Sequence, residues 1–423
     1  VLAPALEPLP MPDSAAAALA ALDRWQEENP GAVFPGWPAF QGGLMLAVSY
    51  DLARACEPIS SAAQADLPVP PVFAGFAREC LVYDHQEKTV TAVVLAERVS
   101  SAELSTLHTA ALTRARDLLG AWEKQVAAPA HVFSAASGAT EISPEEIVTA
   151  RTFDEPTFCA AVRRIQEYIA AGDTYQVNLS LRQSFPLPAA PERIYEALRQ
   201  INPSPYMGLL RTPEFSLVCG SPELLVRTGT DRIESRPIAG TRPRGGNAAA
   251  DLAFLEELRA HPKEQAEHLM LVDLLRNDLG RVAARGSVRV DEFMAIEGYS
   301  HVMHLVSHIS GALAQQPSVS EILRAIFPGG TITGAPKVRT MQIIEELEPV
   351  RRGFYTGALG WLALDGTLNL NILIRTLFAQ NGLAHVQAGA GIVADSVPAR
   401  EYHESLSKAR ALLRAAAVAG LLP

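Results

Sequence analysis

The 423-residue chain carries a formal net charge of −10, and 48% of its residues are hydrophobic. That acidity excludes a nucleic-acid partner, whose phosphates need a basic surface. No apolar run approaches the roughly 18 residues of a membrane helix, which excludes a membrane partner of that kind. Four cysteines (Cys56, Cys80, Cys159, Cys219) stand far apart without a C-x-x-C pair, which fits a reducing cytoplasm better than a disulfide framework or a zinc site. The length allows two or three domains or one large body. The chain opens on Val1 with no export-signal pattern, and a start other than Met points to residues upstream.

In chain order, Ser14–Asn29 reads as an alanine-rich helix stopped before Pro30. FQGGLMLAVSYDLAR is a glycine-bearing strand running into Ser49-Tyr50-Asp51, and Leu81–Leu95 reads as a hairpin. Ser101–Trp122 is helical, and the Ala/Ser-rich residues 124–152 form a linker. Asp154 caps a helix with Pro156 in its first turn and Gly172 beyond its end. YQVNLSLR alternates cleanly: Tyr175, Val177, Leu179 and Leu181 face one way, Gln176, Asn178, Ser180 and Arg182 the other. A wholly polar strand face is either solvated or lines a polar cavity. SLVCGSPELLVRT and RIESRPI are strands, followed by a loop AGTRPRGG. Asp365-Gly366 and Asn381-Gly382 are hairpin turns flanking one strand, LNLNILIRTLF, with Asn369, Asn371, Leu373 and Arg375 on one side. An arginine among apolar strand positions is usually paired or reaching a ligand.

Two helices carry the chemistry. In Lys263–Arg281, Ala266, Leu269, Met270, Leu274 and Leu275 recur at helical spacing and face inward, while Glu264 and Glu267 fall three apart on one face. Near the C-terminus Glu401 and Glu404 repeat that spacing, with Lys408 one turn later. The pairs are either solvated acidic faces or oxygen ligands for a hard cation such as Mg²⁺, which takes one or two carboxylates plus waters and substrate oxygens. FPGGTITGAPKVR is not a phosphate loop, because its lysine falls two places late with no Ser/Thr after it. It leaves a glycine-rich turn feeding a helix near Ala335, suited to a carboxylate. His301, His304 and His308 sit at i, i+3, i+7 and read as core or catalytic histidines, not zinc ligands. GAGIVADS reads as a glycine loop whose amides either bind a carboxylate or simply turn the chain.

SPELLVR, RPIAGTRPRG, AEHLMLVDLLRNDLGR, SHVMHLVS, FPGGTITGAPKVR, NILIRT and AGAGIVADS, in this order over Phe153–Leu413, resemble the chorismate-utilising enzymes. That family includes component I of anthranilate synthase and of aminodeoxychorismate synthase, with the isochorismate and salicylate synthases. The resemblance implies an α+β fold like that of anthranilate synthase component I: two packed antiparallel sheets surrounded by helices. It implies an N-terminal region, 1–123, packed into one body with a chorismate-binding catalytic region, 153–415. It implies Mg²⁺ held by Glu267 and Glu404, with Glu264 and Glu401 reaching it through water or shaping the site. Tyr355 and Arg375 would hold the enolpyruvyl carboxylate; the Gly389–Gly391 amides and Lys408 would receive the ring carboxylate. Glu223 would protonate the departing C4 hydroxyl, with His304 and Glu264 as further catalytic groups, and Thr241, Thr331 and Ala239 would line the pocket.

Isochorismate synthases carry a lysine base where Gln176 stands, so the resemblance points to ammonia as nucleophile, supplied by a separate glutamine amidotransferase subunit. YQVNLS, ITGAPK, YTGALGW, LNLNILIRTL and FQGG side with aminodeoxychorismate synthase, making 4-amino-4-deoxychorismate for 4-aminobenzoate and folate synthesis. NPSPYM and RPIAGTRPRG side with anthranilate synthase. Ala239 also sides with the latter, because many aminodeoxychorismate synthases have there a lysine that attacks C2. The expected product is aminodeoxychorismate, with anthranilate plus pyruvate as the alternative. A non-catalytic regulatory paralogue is the alternative of another class.

Overall fold

Where apolar and polar side chains alternate, the chain is extended, and its strands assemble into two large sheets whose ladders are all antiparallel. The computed structural model describes residues 1–31, 33–96, 100, 103–127, 144–244, 251, 254–257, 262–298 and 302–420; the side chains at 127, 144, 239, 241–243, 262–264 and 302 fall outside that description. The first sheet runs in the order Glu7–Pro8, Val72–Ala77, Gly43–Val48, Ala358–Ala363, Leu368–Ile372, Leu224–Thr228, Arg232–Arg236, Val302–Ala312 and Ile238–Pro243, with Arg289–Gly298 also on Val302–Ala312. The second runs Gly334–Ala335, Gln176–Pro186, Leu383–Ile392, Thr376–Gln380, Ser216–Ser221 and Tyr206–Arg211, with Ala150–Arg151 beside Gln176–Pro186. Thus the expected loop AGTRPRGG enters a strand, and the N-terminal strand Gly43–Val48 pairs along its length with Ala358–Ala363.

The sheets are layered between helices. Ala47 and Leu359 of the first sheet meet Leu217, Cys219 and Phe378 of the second in one apolar cluster. Outside the first sheet lie the helices Ala15–Glu28, Pro262–Gly280 and Val319–Ile326. Outside the second lie Glu155–Ala170, Pro191–Ile201, Lys337–Leu347 and Pro398–Gly420. This is the expected α+β architecture of two antiparallel sheets surrounded by helices.

Local signals behave as their chemistry dictates. Asp154 accepts from Thr157 N–H at 2.9 Å and caps Glu155–Ala170, which ends before Gly172 at φ +83°. Asn381 and Gly382, both left-handed, turn one hairpin; the predicted hairpin at 81–95 is Glu79–Asp84 with Thr89–Val94. The alanine-rich helix runs Ala15–Glu28, and the helix expected over 101–122 runs Leu104–Ala127. Of the expected linker, residues 128–143 lie outside the described ones.

The acidic helix corrects one expectation. Leu269 is 57% exposed and Ala266 is exposed; the inward stripe is His268, Leu271, Val272, Leu275, Asp278 and Leu279. A search for apolar positions rejects that stripe because it contains His268 and Asp278. Each is buried with a partner: His268 Nε2 lies 2.6 Å from Ser307 Oγ, and Asp278 accepts from Lys337 Nζ at 2.5 Å. The lysine of FPGGTITGAPKVR is therefore consumed in a buried ion pair.

Candidate active site

The site begins at a double step between the sheets. Ser216–Ser221 in the second sheet continues through Pro222 and Glu223 into Leu224–Thr228 in the first. Its neighbour Leu368–Ile372 in the first sheet continues through Leu373, Ile374 and Arg375 into Thr376–Gln380 in the second. The two adjacent chains cross at the same level, tied by Ile372 N–H to Glu223 O at 3.0 Å and Gly220 N–H to Arg375 O at 2.9 Å. The single strand expected over LNLNILIRTLF is therefore two. Arg375 adopts a left-handed φ of +51°, a conformation non-glycine residues seldom take, and so leaves the row of asparagines. Asn371 instead donates to Tyr206 O and accepts from Leu359 N–H.

Both residues at this corner are electrostatically unsettled. Glu223 is buried, and burial pushes its carboxyl up to about 7; the nearby Thr331 hydroxyl and the Ile238 N–H ease that shift. Thr331 Oγ1 itself is buried without an aligned hydrogen bond. Burial also pulls the Arg375 guanidinium below its ordinary range, against the opposing pull of Tyr355 and Glu404. Among the described residues the guanidinium of Arg375 has no ion pair or hydrogen bond. A cation held in that way is a site for an anion.

The strand Gln176–Pro186 of the second sheet carries the polar row. Gln176, Asn178, Ser180 and Arg182 are all buried, so this face lines the interior and is not solvated. On the neighbouring strand Gly391, Gly389 and Gln387 stand opposite Asn178, Ser180 and Arg182. Gly389 and Gly391 thus lie within Leu383–Ile392, which corrects the expected glycine loop. At Gly389 the lack of a side chain is required, since a Cβ would stand 2.4 Å from the backbone Leu179 O; at Gly391 a Cβ would stand 2.4 Å from Gln176 Nε2 and displace that side chain. The resemblance placed Gln176 where a catalytic base would stand, but Asn178 had no assignment, since alternation alone does not say which face is wet. Both keep an unpartnered, buried side-chain oxygen.

The acidic helices reach this glycine strand from two directions. Glu267 Oε1 accepts from Gln176 Nε2 at 2.7 Å and would lie 3.6 Å from a Cβ on Gly391. Lys408 Nζ donates to Gly389 O at 3.0 Å and pairs with Glu404 Oε1 at 2.9 Å. Glu401 occupies the first turn of the same helix, and the side chain of Glu264 lies outside the described ones. Among the described residues no three His, Cys, Asp or Glu side chains gather as a metal cage. The candidate oxygen donors are carboxylates, one from each of two helices, near the bare backbone of the glycine strand. That chemistry fits a hard cation completed by water and substrate oxygens.

His304 lies in the strand Val302–Ala312, not on a helix, so the spacing of the three histidines does not make a metal face. It stands opposite Thr241, and burial with nearby Arg375 holds its imidazole below its ordinary range, hence neutral at pH 7. His308 is taken up by Glu234 at 3.0 Å, and His301 lies outside the described residues. Ala239 and Thr241 sit in the strand Ile238–Pro243, with side chains outside those described. Tyr355 lies near Arg375; burial raises its phenol well above the ordinary value, so it is a neutral hydrogen-bond donor.

The pattern of the chorismate binding enzymes matches residues 10–414. The chain is 48% identical over 380 residues to aminodeoxychorismate synthase component 1 of Bacillus subtilis (strain 168), covering 90% of this chain and 78% of that protein. It is 44% identical over 385 residues to anthranilate synthase component 1 of Thermus thermophilus, covering 91% and 79%. The crystal structure of anthranilate synthase component I from Streptococcus pneumoniae TIGR4 superposes with a TM-score of 0.79 at 32% identity, over 93% of this chain and 85% of that one. The chain belongs to the chorismate binding enzyme family.

Proposed function

We propose that this protein aminates chorismate at C4 in an Mg²⁺-dependent reaction. The ammonia comes from a glutamine amidotransferase partner and the product is 4-amino-4-deoxychorismate. The observation that carries the reading is the corner itself. There a carboxyl still half protonated at neutral pH, Glu223, stands on the strand next to an arginine whose guanidinium makes no ion pair or hydrogen bond among the described residues, Arg375. A dicarboxylate whose hydroxyl must depart needs both groups. Arg375 and Tyr355 take the enolpyruvyl carboxylate, while Lys408 and the Gly389–Gly391 backbone orient the ring carboxylate. Glu267 and Glu404, with Glu264 and Glu401 around them, would hold Mg²⁺, which when bound would neutralise that carboxylate's charge. Glu223 gives its proton to the C4 oxygen, so the C–O bond breaks with loss of water as the C–N bond forms. The surplus proton of the incoming ammonia restores the carboxyl. His304 and Thr331 border the same space, and Gln176 offers an amide where a base would activate water.

The greater identity to an aminodeoxychorismate synthase component supports this product. Ala239 favours a second reading, anthranilate synthesis, because it has no amine to occupy C2 and leaves that carbon open to ammonia. The relatives' designation as component 1 supports a partner subunit. Cys56, Cys80, Cys159 and Cys219 are all unpaired, as suits a reducing cytoplasm. No described helix is long and apolar enough to cross a membrane. Incubation with chorismate, Mg²⁺ and ammonium decides the product. A non-aromatic amine that a separate lyase converts to 4-aminobenzoate supports C4 amination. A fluorescent aromatic amine with pyruvate gives the second reading, and failure to consume chorismate refutes both.

A further inference from the structure

Arg352 lies beside the site rather than in it, and its side chain is 1% exposed. All five of its N–H groups are directed at acceptors. Nε donates to Glu348 Oε2 at 2.9 Å; Nη1 donates to Ile332 O at 3.0 Å and Thr356 Oγ1 at 3.3 Å. Nη2 donates to Asn178 O at 2.6 Å and Glu348 Oε1 at 2.7 Å. Its Cζ lies over the ring of Tyr50, 5.0 Å from the centroid, and over that of Tyr355, at 5.5 Å. Glu348 carries the network further, accepting from Ser180 N–H at 2.9 Å and Ser180 Oγ at 2.7 Å.

Besides Glu348, these acceptors come from three separate elements, and each of the three is next in sequence or register to a residue of the site. Ile332 follows Thr331, which borders Glu223. Thr356 follows Tyr355 and is held at φ +62°, a costly conformation for a β-branched residue that persists only where its surroundings enforce it. Asn178 stands opposite Gly391.

We infer that Arg352 is a positioning residue for the chorismate reaction: one planar guanidinium sets the Thr331 turn, the Tyr355 corner and the Asn178 strand at fixed distances from one another. This rests on the function proposed above. Lysine keeps the charge but offers three donors from a point, without a plane to stack or a fork to span three elements.

The test uses the full chain with Mg²⁺ and ammonium, comparing parent, Arg352→Lys and Arg352→Ala. A misplacement of about 1 Å costs on the order of 100-fold, so Arg352→Lys should lose about that much kcat/KM, with KM raised as well as kcat lowered. Millimolar guanidinium should restore part of both in Arg352→Ala. A merely structural arginine would reduce the folded fraction and lower kcat with KM unchanged, and that result overturns the inference. Amide exchange supplies a reading that needs no substrate. The Asn178 and Thr356 amides, which donate to Thr333 O and Leu373 O, should exchange at least about tenfold faster in Arg352→Lys, while those of Pro398–Gly420 keep the parent's rates. Unchanged or uniformly faster exchange also overturns it. A parent that leaves chorismate untouched refutes the proposed reaction, and exchange still decides whether Arg352 pins the three elements.

Discussion

Replacing Glu223 by glutamine should inactivate the enzyme and stabilise it at the same time. The carboxyl is 5% exposed and its pKa rises from 4.5 to about 7 on folding, chiefly because burial disfavours the charged form. A raised acid pKa means the folded state binds a proton that the unfolded chain releases between those two values, so stability falls as pH rises through that window. The gap of about 2.5 units, at 1.36 kcal/mol each, amounts to about 3 kcal/mol lost above pH 7. Glutamine has the same shape and never ionises. Glu223→Gln should therefore gain up to about 3 kcal/mol over the parent at pH 8. That advantage should shrink to near zero at pH 4.5. Turnover should fall by roughly 10²- to 10⁴-fold, the usual contribution of a positioned acid. Urea denaturation of both proteins across pH 4.5–8.5, with parallel rate measurements, checks both halves. A stability difference that does not change with pH would refute the buried-acid argument, and near-normal turnover would remove Glu223 from the chemistry.

Arg375→Ala removes a guanidinium without a protein ion pair, so folding should be unaffected while KM for chorismate rises about 10- to 100-fold, from roughly 1.5–3 kcal/mol per charge-assisted contact; unfolding with unchanged KM in the residual activity would mark a structural arginine. Glu404→Ala breaks a half-exposed pair with Lys408 worth below about 1 kcal/mol. It should keep its melting temperature but lose Mg²⁺-dependent turnover, and normal rates at ordinary Mg²⁺ would sink the metal assignment. Ala239→Lys should raise the share of product aminated at C4, provided the site lowers the lysine pKa, as read by product chromatography; an unchanged product ratio tells against a role for position 239 in product choice.

Local chemistry alone fixed much of this protein. Capping at Asp154, the Asn381-Gly382 turn, the presence of both acidic helices and the family motifs were legible because each depends on neighbours a few residues apart. The glutamates and Arg375 were legible as candidates for the same reason. Tertiary structure decided what those patterns could not. Alternation in YQVNLSLR separates two faces but cannot say that the polar one is interior; the apolar face packs on helices, so Gln176 and Asn178 turn toward the other sheet. The break at Arg375 was hidden because a strand changing sheets keeps its apolar composition. His268 and Asp278 point inward only because Ser307 and Lys337, distant in sequence, wait for them. Arg352 carried no sequence signal at all. Its role lies in five acceptors drawn from residues 178, 332, 348 and 356, and only the folded chain brings these around one side chain.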